Sequence, residues 1–501
     1  MMSTIDHTRA KLPGLDKVAQ AEVDARAAAA VDDDISRPLR IPSRIFIGRI
    51  LAVVLPLALW FAPLRIDPTA KHALAIALFM IIAWITEALP HAITGLMGCY
   101  LFWVLGVVKF GVAFNGFATE TPWFYFGALL FGLMATTSGL ARRLAYLVML
   151  RVGNSYSHIL LGMILLSFML TFLVPSGTAC VVIMAAIAIG LLDAYGFGVG
   201  SNIGRGIFIT LTYTAGMFDK MVIAGPASIL GRGLIEKNAH VQVLWSKWML
   251  AYLPLSIITI FATWRLVLWL YPPEKAVLTG GTEFLKVELQ KMGRWSAREK
   301  HSLILMLLAI GLWMTDFIHH IPPSMIGLGI GLLATLPRLG VLKIDDVKNL
   351  NFLSIIFVAT AIGLSEVLIQ TKALDLVTNV MFAWMEPLVK NVFALAFVPY
   401  WTAFFYHIFL GTDISMLSTS IPPLMNFATE NHINPLALGM IWTFAAGGKI
   451  FVYQSAVMIV GYSYGYFEAR DMFRVGICLT LIESLLLLIF VPFYWPLIGI
   501  G

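Results

Sequence analysis

From residue 45 onward the chain is a succession of long apolar stretches separated by short polar interruptions. Stretches such as 45–64, 72–89, 124–140, 250–270, 303–315 and 475–497 are long enough, alone or with their neighbours, to cross a hydrocarbon core of about 30 Å. The pattern predicts an all-α polytopic membrane protein of about eleven transmembrane helices, since each crossing needs about 20 apolar residues.

The pattern also repeats. Lys71-His72 through Trp84-Ile-Thr-Glu87 matches Lys300-His301 through Trp313-Met-Thr-Asp316 at a constant offset of 229 residues. Leu89-Pro-His-Ala-Ile-Thr-Gly-Leu96 matches Ile321-Pro-Pro-Ser-Met-Ile-Gly-Leu328 at 232, and residues 138–141 then fall opposite 371–374. Trp-x-Thr-acid and Pro-x-x-x-x-Gly-Leu are more than shared greasiness, so the chain reads as a duplication.

Charge sets the orientation. The composition is 59% hydrophobic and 12% charged, about half the charge of soluble domains. Residues 1–44 and 271–300 together hold 24 of the 62 charged side chains, which marks a polar, Ala-rich tail and a charged linker. The tail has no apolar signal-peptide core, so no cleaved leader is expected. Arg37, Arg40, Arg44 and Arg49 stand at the first span, and Arg142, Arg143 and Arg151 follow a later one. By the positive-inside rule both places and the linker are cytoplasmic. One span before Lys71 then starts the first copy outside, whereas Lys300 starts the second inside. The expected organisation is a cytoplasmic tail (1–44), a first membrane segment with repeat 1 (45–270), a cytoplasmic linker (271–300) and an inverted repeat 2 (301–501). The net charge of +6 follows from this topology; the bilayer is the expected partner and no nucleic acid is implied.

Inverted repeats are a common plan of secondary transporters, with substrate held near the midplane where broken helices of the two halves meet. Matched breaks occur at Val174-Pro-Ser-Gly-Thr178 and Lys220-Met-Val-Ile-Ala-Gly-Pro-Ala-Ser228, then at Gly411-Thr-Asp-Ile-Ser415 and Gly447-Gly-Lys-Ile-Phe-Val-Tyr-Gln-Ser455. Thr412 follows Ser176 by 236 residues, and Lys449 follows Lys220 by 229. Half-helix N-termini at such breaks present N–H groups and a positive dipole to an anion. The hydroxyls of Ser176, Thr178, Thr412 and Ser415 can donate to carboxylate or sulfonate oxygens, or coordinate a cation. They can equally bond back to their own helices.

A charge inside the membrane is costly, so Lys220 and Lys449 are candidate site residues. They read either as ligands of an anion or as structural partners of Asp219 and Asp413. His407 is a candidate proton-coupling group, together with those two acids. Glu87 and Asp316, equivalent under the repeat, are expected to be interfacial anchors, as are Trp123, Trp401 and Trp495. Glu366 and Glu483 are expected to be paired or to snorkel, without a transport role. Cys99, Cys180 and Cys478 lack metal-ligand spacing, and no metal or cofactor is expected.

At these residues the sequence resembles the divalent anion/sodium symporter family, carriers of dicarboxylates, tricarboxylates and sulfate. The resemblance covers residues 45–500 and rests on Asn115-Gly-Phe-Ala, Phe126-Gly-Ala-Leu, Ser138-Gly-Leu-Ala-Arg142, Tyr271-Pro-Pro-Glu, Leu289-Gln-Lys-Met-Gly, Ser296-Ala-Arg-Glu-Lys300 and Gly465-Tyr-Phe-Glu-Ala-Arg-Asp-Met472, in that order. It implies two re-entrant hairpins, a homodimeric scaffold and a transport unit that moves like an elevator. The family's Ser-Asn-Thr hairpin tips look like Ser176-Gly177-Thr178 and Thr412-Asp413-Ile414 here, with the asparagine absent from both. Its Gly-Thr-Pro-Pro-Asn-like break looks like Ala224-Gly-Pro-Ala-Ser228, which brings in Gly225, Pro226 and Ser228. The second break looks like Val452-Tyr-Gln-Ser455, so Tyr453, Gln454 and Ser455 are expected to tune selectivity.

In sodium-coupled members these tips and breaks hold cations beside the anion. A carboxylate pair entering a low-dielectric site needs compensating charge, and Lys220 and Lys449 read as tethered ammonium groups that supply it in place of sodium. The expected function is a secondary carrier of a small di- or tricarboxylate, sulfonate or sulfate, by sodium-independent exchange or proton coupling. An ordinary sodium symporter is the alternative, which leaves the coupling ion open between sodium, proton and counter-anion. An enzyme is disfavoured: there is no His-x-x-x-His pair, and Gly461-Tyr-Ser-Tyr-Gly465 ends a predicted membrane helix instead of forming a strand-to-helix elbow. A channel would need continuous polar pore-lining faces, whereas polarity here concentrates at the breaks.

Overall fold

The structure, a computed structural model, describes residues 43–174, 176–275, 280–337 and 340–500. The expected tail with Arg37 and Arg40 lies outside the described residues. Every regular element among the described residues is helical. Helix α1 (Ser43–Phe61) leads into nine helices: α2 (Pro68–Thr86), α3 (His91–Val104), α4 (Glu120–Thr137), α5 (Leu140–Val152), α6 (Tyr156–Leu173), α7 (Gly177–Tyr195), α8 (Asn202–Met221), α9 (Pro226–Ala239) and α10 (Trp245–Leu270). The linker contributes α11 (Gly281–Lys291). Nine more follow: α12 (Ala297–Met314), α13 (Pro323–Leu333), α14 (Phe352–Gln370), α15 (Ala373–Phe382), α16 (Val392–Phe409), α17 (Asp413–Glu430), α18 (Pro435–Ala445), α19 (Ala456–Ser463) and α20 (Ala469–Phe493). The second set takes the elements of the first in the same order, α12 answering α2 and α20 answering α10.

Local signals explain the boundaries. Pro68 opens α2 while Asp67 accepts from Ala70 N at 3.0 Å, and Ser296 with Glu299 forms a reciprocal capping box at the start of α12. At the end of α4 the chain turns by 64° into α5, and Gly139 takes φ +84° there, a left-handed conformation that costs glycine little. Among the described residues eight stretches are long and apolar enough to cross a bilayer, with α8 and α9 taken together as one of them, or nine with α4 and α5 as one bent span. Shorter apolar helices such as α3, α13 and α18 stand beside them. Helix α1 exposes Phe46, Val53, Leu57 and Phe61, an apolar face suited to lipid.

The centre of the molecule is α8, buried at nearly every position from Ile203 to Met221. Around it the repeats interlock: α7 packs against α19, and α17 packs against α9. Each tip-bearing helix of one repeat thus meets the second half of the other repeat's broken helix.

Three expectations need amending. The linker is not merely solvated charge, because α11 packs on α5 and α7, with the Phe284 ring over Gly190. Arg143 is buried in that same corner: its Nε donates to Glu299 Oε1 at 2.5 Å, and its Nη atoms donate to Gly293 O at 3.0 Å and Met292 O at 3.2 Å. Asp316, expected as an interfacial anchor, is fully buried. It accepts from Trp245 N at 2.7 Å and from the Ser246 hydroxyl, and so caps α10. Its repeat equivalent Glu87 is exposed and ends α2 in a left-handed turn, so equivalence in sequence did not carry equivalence of role. Trp495, also expected at the interface, is completely buried, with its indole N–H on Ala251 O.

Candidate functional site

Helix α8 ends at Met221 and α9 begins at Pro226, leaving the break 222–225. In repeat 2 the gap between α18 and α19 is longer, 446–455, and holds a single 3-10 turn at Val452–Gln454. The two tips lie between α6 and α7 and between α16 and α17. Four helix N-termini converge here. A Cβ on Gly177, the first residue of α7, would lie 2.7 Å from Val457 of α19 and 2.9 Å from Ala215 O of α8; one on Gly225, the cap of α9, would lie 2.5 Å from Asp219 Oδ2. Both glycines are required by these close approaches. Asp413 opens α17 and reaches the lysines directly.

Those lysines form the core of the site. Lys220 Nζ lies 3.1 Å from Asp219 Oδ1 and 3.1 Å from Asp413 Oδ2. Lys449 Nζ lies 3.2 Å from the same Asp413 oxygen. Both ammonium groups also donate to Gly216 O, at 3.3 and 3.2 Å. Two cations and two anions make the cluster neutral. The lysine side chains are 0% exposed and the carboxylates of Asp219 and Asp413 about a tenth exposed, so the acids face the accessible side. Of the two readings left open, the structure shows the pairing with Asp219 and Asp413.

The hydroxyls arrange themselves in matching pairs. Ser176 Oγ sits 3.0 Å from Thr178 Oγ1 and caps α7 at Ala179 N; Thr412 Oγ1 sits 3.0 Å from Ser415 Oγ and caps α17 at Ser415 N. Ser176, Thr178 and Thr412 are half-buried, so each tip keeps hydroxyl surface to offer a ligand. Ser228 instead turns onto Gly225, bonding both its N–H and its carbonyl, and Ser455 caps α19. Those two hold the broken helices open at the right angle. Pro226 takes the first position of α9, where its missing N–H costs nothing.

At the second break Gln454 Oε1 accepts from Ile450 N at 2.7 Å and Phe451 N at 2.8 Å. This fixes the amide orientation and leaves buried Nε2 with no partner among the described residues. His407 is fully buried beside it. Its Nε2 must carry the hydrogen, because it lies 3.2 Å from Gln454 O, which only accepts; Nδ1 then bears a lone pair with no partner.

Four residues that the sequence did not nominate shape the site. Gly216 supplies the carbonyl both lysines share, and a Cβ there would lie 3.2 Å from Lys449 Nζ. Gly447 lets the Lys220 stem pass within 3.4 Å of its own Cβ position. Trp248 donates to Lys220 O at 3.0 Å, and the Tyr213 hydroxyl stands between Met472 O at 2.5 Å and Lys449 O at 2.9 Å. Only the spacing of Gly216, one turn before Lys220, was a usable signal.

Buried helix N-termini, paired hydroxyls and two ammonium groups are gathered at the two breaks. The chain belongs to the family described as the sodium:sulfate symporter transmembrane region, which it matches over residues 44–500. It is a multi-pass membrane transport protein, not an enzyme. It is 26% identical over 480 residues to the inner membrane protein YbhI of Escherichia coli (strain K12), covering 90% of this chain and 97% of that one. The citrate/succinate antiporter of the same organism is 23% identical over 494 residues, covering 90% and 98%. The sodium-dependent dicarboxylate transporter SdcS of Staphylococcus saprophyticus is 27% identical over 276 residues, 53% of each chain.

Proposed function

We propose that this protein carries small di- or tricarboxylates across a bacterial cytoplasmic membrane by sodium-independent exchange, with Lys220 and Lys449 serving as fixed cations in place of mobile sodium. The observation that carries this reading is the convergence of both ammonium groups on one oxygen of Asp413, where the breaks and a tip meet. Before substrate binds, the acids neutralise the lysines. An arriving carboxylate exchanges with Asp413 for one ammonium group, while the hydroxyls of Ser176, Thr178, Thr412 and Ser415, the Gln454 amide and the helix N-termini around Gly177, Gly225 and Ser455 receive its remaining oxygens. Asp219, Asp413 and His407 then rebalance the charge.

The same reading assigns an inverted topology with the N-terminus and the 271–300 linker cytoplasmic, α6–α7 and α16–α17 as re-entrant hairpins, and a homodimer in which α6–α10 and α16–α20 move together against the rest. It keeps the division into tail, repeat 1, linker and repeat 2 at residues 44, 270 and 300. The citrate/succinate antiporter aligns along nearly its whole length, which supports exchange and this substrate class.

Uptake of labelled citrate, succinate and sulfate into proteoliposomes, with sodium or choline outside and with or without an internal carboxylate, tests the proposal. Carboxylate uptake that needs the internal anion and ignores sodium is expected. Uptake driven by a sodium gradient alone would return the chain to ordinary symport and make the lysines structural.

A further inference from the structure

Behind the second break lies an acid that the carrier site does not use. Glu483 of α20 is 2% exposed, and among the described residues no cation stands within salt-bridge distance of it. Its Oε2 lies 3.1 Å from Tyr400 OH, and that same hydroxyl lies 3.1 Å from Thr480 O. A phenol has one hydrogen to give. If it goes to the Thr480 carbonyl, which only accepts, Glu483 must supply the second hydrogen and is therefore a neutral acid. If it goes to Glu483, a bare carboxylate remains buried with a single hydrogen bond. The Thr480 carbonyl lies inside α20, where helix geometry already supplies it a backbone N–H, so the arrangements differ in one respect: the first leaves no bare charge buried.

The surroundings point the acid at the site. Thr480, one turn earlier, lies against Gly448, where a Cβ would stand 3.1 Å from its hydroxyl, and Gly448 adjoins Lys449. From α16 come Tyr400 and His407, from α8 Asp219 and Lys220, and from the break Lys449. Helix α10 brings Tyr252, whose hydroxyl is committed to Met440 O, and α18 carries no titratable side chain.

We propose that Glu483 is a proton-binding site that balances charge when anions of unequal charge are exchanged. The inference rests on the carrier reading above. A trianion entering for a dianion leaves one negative charge unmatched; a proton held on Glu483 while the trianion crosses, released to water on the far side, and taken up again from water on the first side once the dianion has been carried back, matches it. No other bond forms or breaks.

Two measurements on purified wild-type protein and Glu483→Gln decide the matter. An infrared spectrum of the wild type should hold the carbonyl band of a protonated carboxylic acid that the variant lacks, and Tyr400→Phe should shift that band without removing it. In proteoliposomes exchanging citrate for succinate, with a pH dye inside, the ratio of protons to anions should fall severalfold in Glu483→Gln, whatever rate remains. A wild-type spectrum without the band, or a band or ratio unchanged in the variant, overturns the proposal. If neither protein moves carboxylates, the carrier reading fails while the infrared band still reports on Glu483.

Discussion

Lys220 and Lys449 stand one repeat apart, yet their surroundings differ in a consistent way. Lys220 has two carboxylates at 3.1 Å, one of them on the adjacent residue, whereas Lys449 has only the Asp413 oxygen that Lys220 also uses. The position equivalent to Asp219 is Gly448, and tip 1 carries Gly177 near the place where tip 2 carries Asp413. The cations are duplicated and the acids are not. Lys220 is therefore the saturated member of the pair, and Lys449 the one an incoming anion can recruit at least cost.

The largest effect that would break this comparison is removal of the shared acid. Asp413→Asn leaves two buried ammonium groups with one carboxylate, and should cost about 3–5 kcal/mol of stability. Asp219→Asn removes an acid that serves one lysine only, and should cost about 1–2 kcal/mol. Thermal unfolding in lipid nanodiscs compares them, and equal losses would mean that Asp413 is not shared in the way its distances imply. Next in size, Lys449→Met should weaken carboxylate binding by about tenfold, or about 1.4 kcal/mol. Lys220→Met should act mainly on stability. Unchanged affinity in folded Lys449→Met protein, read by counterflow competition, defeats the fixed-cation mechanism. The smallest expected effect belongs to Gly216→Ala. Its Cβ crowds Lys449 Nζ while alanine favours the helix, so the net stability change should stay below about 1 kcal/mol. Affinity should still drop, because the shared carbonyl shifts; a variant with wild-type affinity would show that Gly216 only makes room.

Much of this was legible in the chain. Apolar length marked the spans, glycine or proline inside apolar runs marked the breaks, and the repeat placed two lysines in register. Asp413 was legible as a partner but not as a shared one, because it lies 193 residues from Lys220 and only the folded tips bring the two together. Asp316 was misread because the repeat predicts its position and not its neighbours: in repeat 2 the start of α10 falls against it. Glu483 was passed over because it has no equivalent in the other repeat, and its meaning depends on how Tyr400 divides one hydrogen.

Arg143 carries a consequence for biogenesis. Its guanidinium is neutralised by Glu299, 156 residues further along, and by carbonyls of the turn just before it. At a ribosome speed of about 5–20 residues per second, that partner arrives about eight to thirty seconds after Arg143 has been synthesised. Until then the first half holds an unmatched cation at the membrane surface and cannot close its corner. The nascent chain is thereby kept from settling before its second half begins to enter the bilayer.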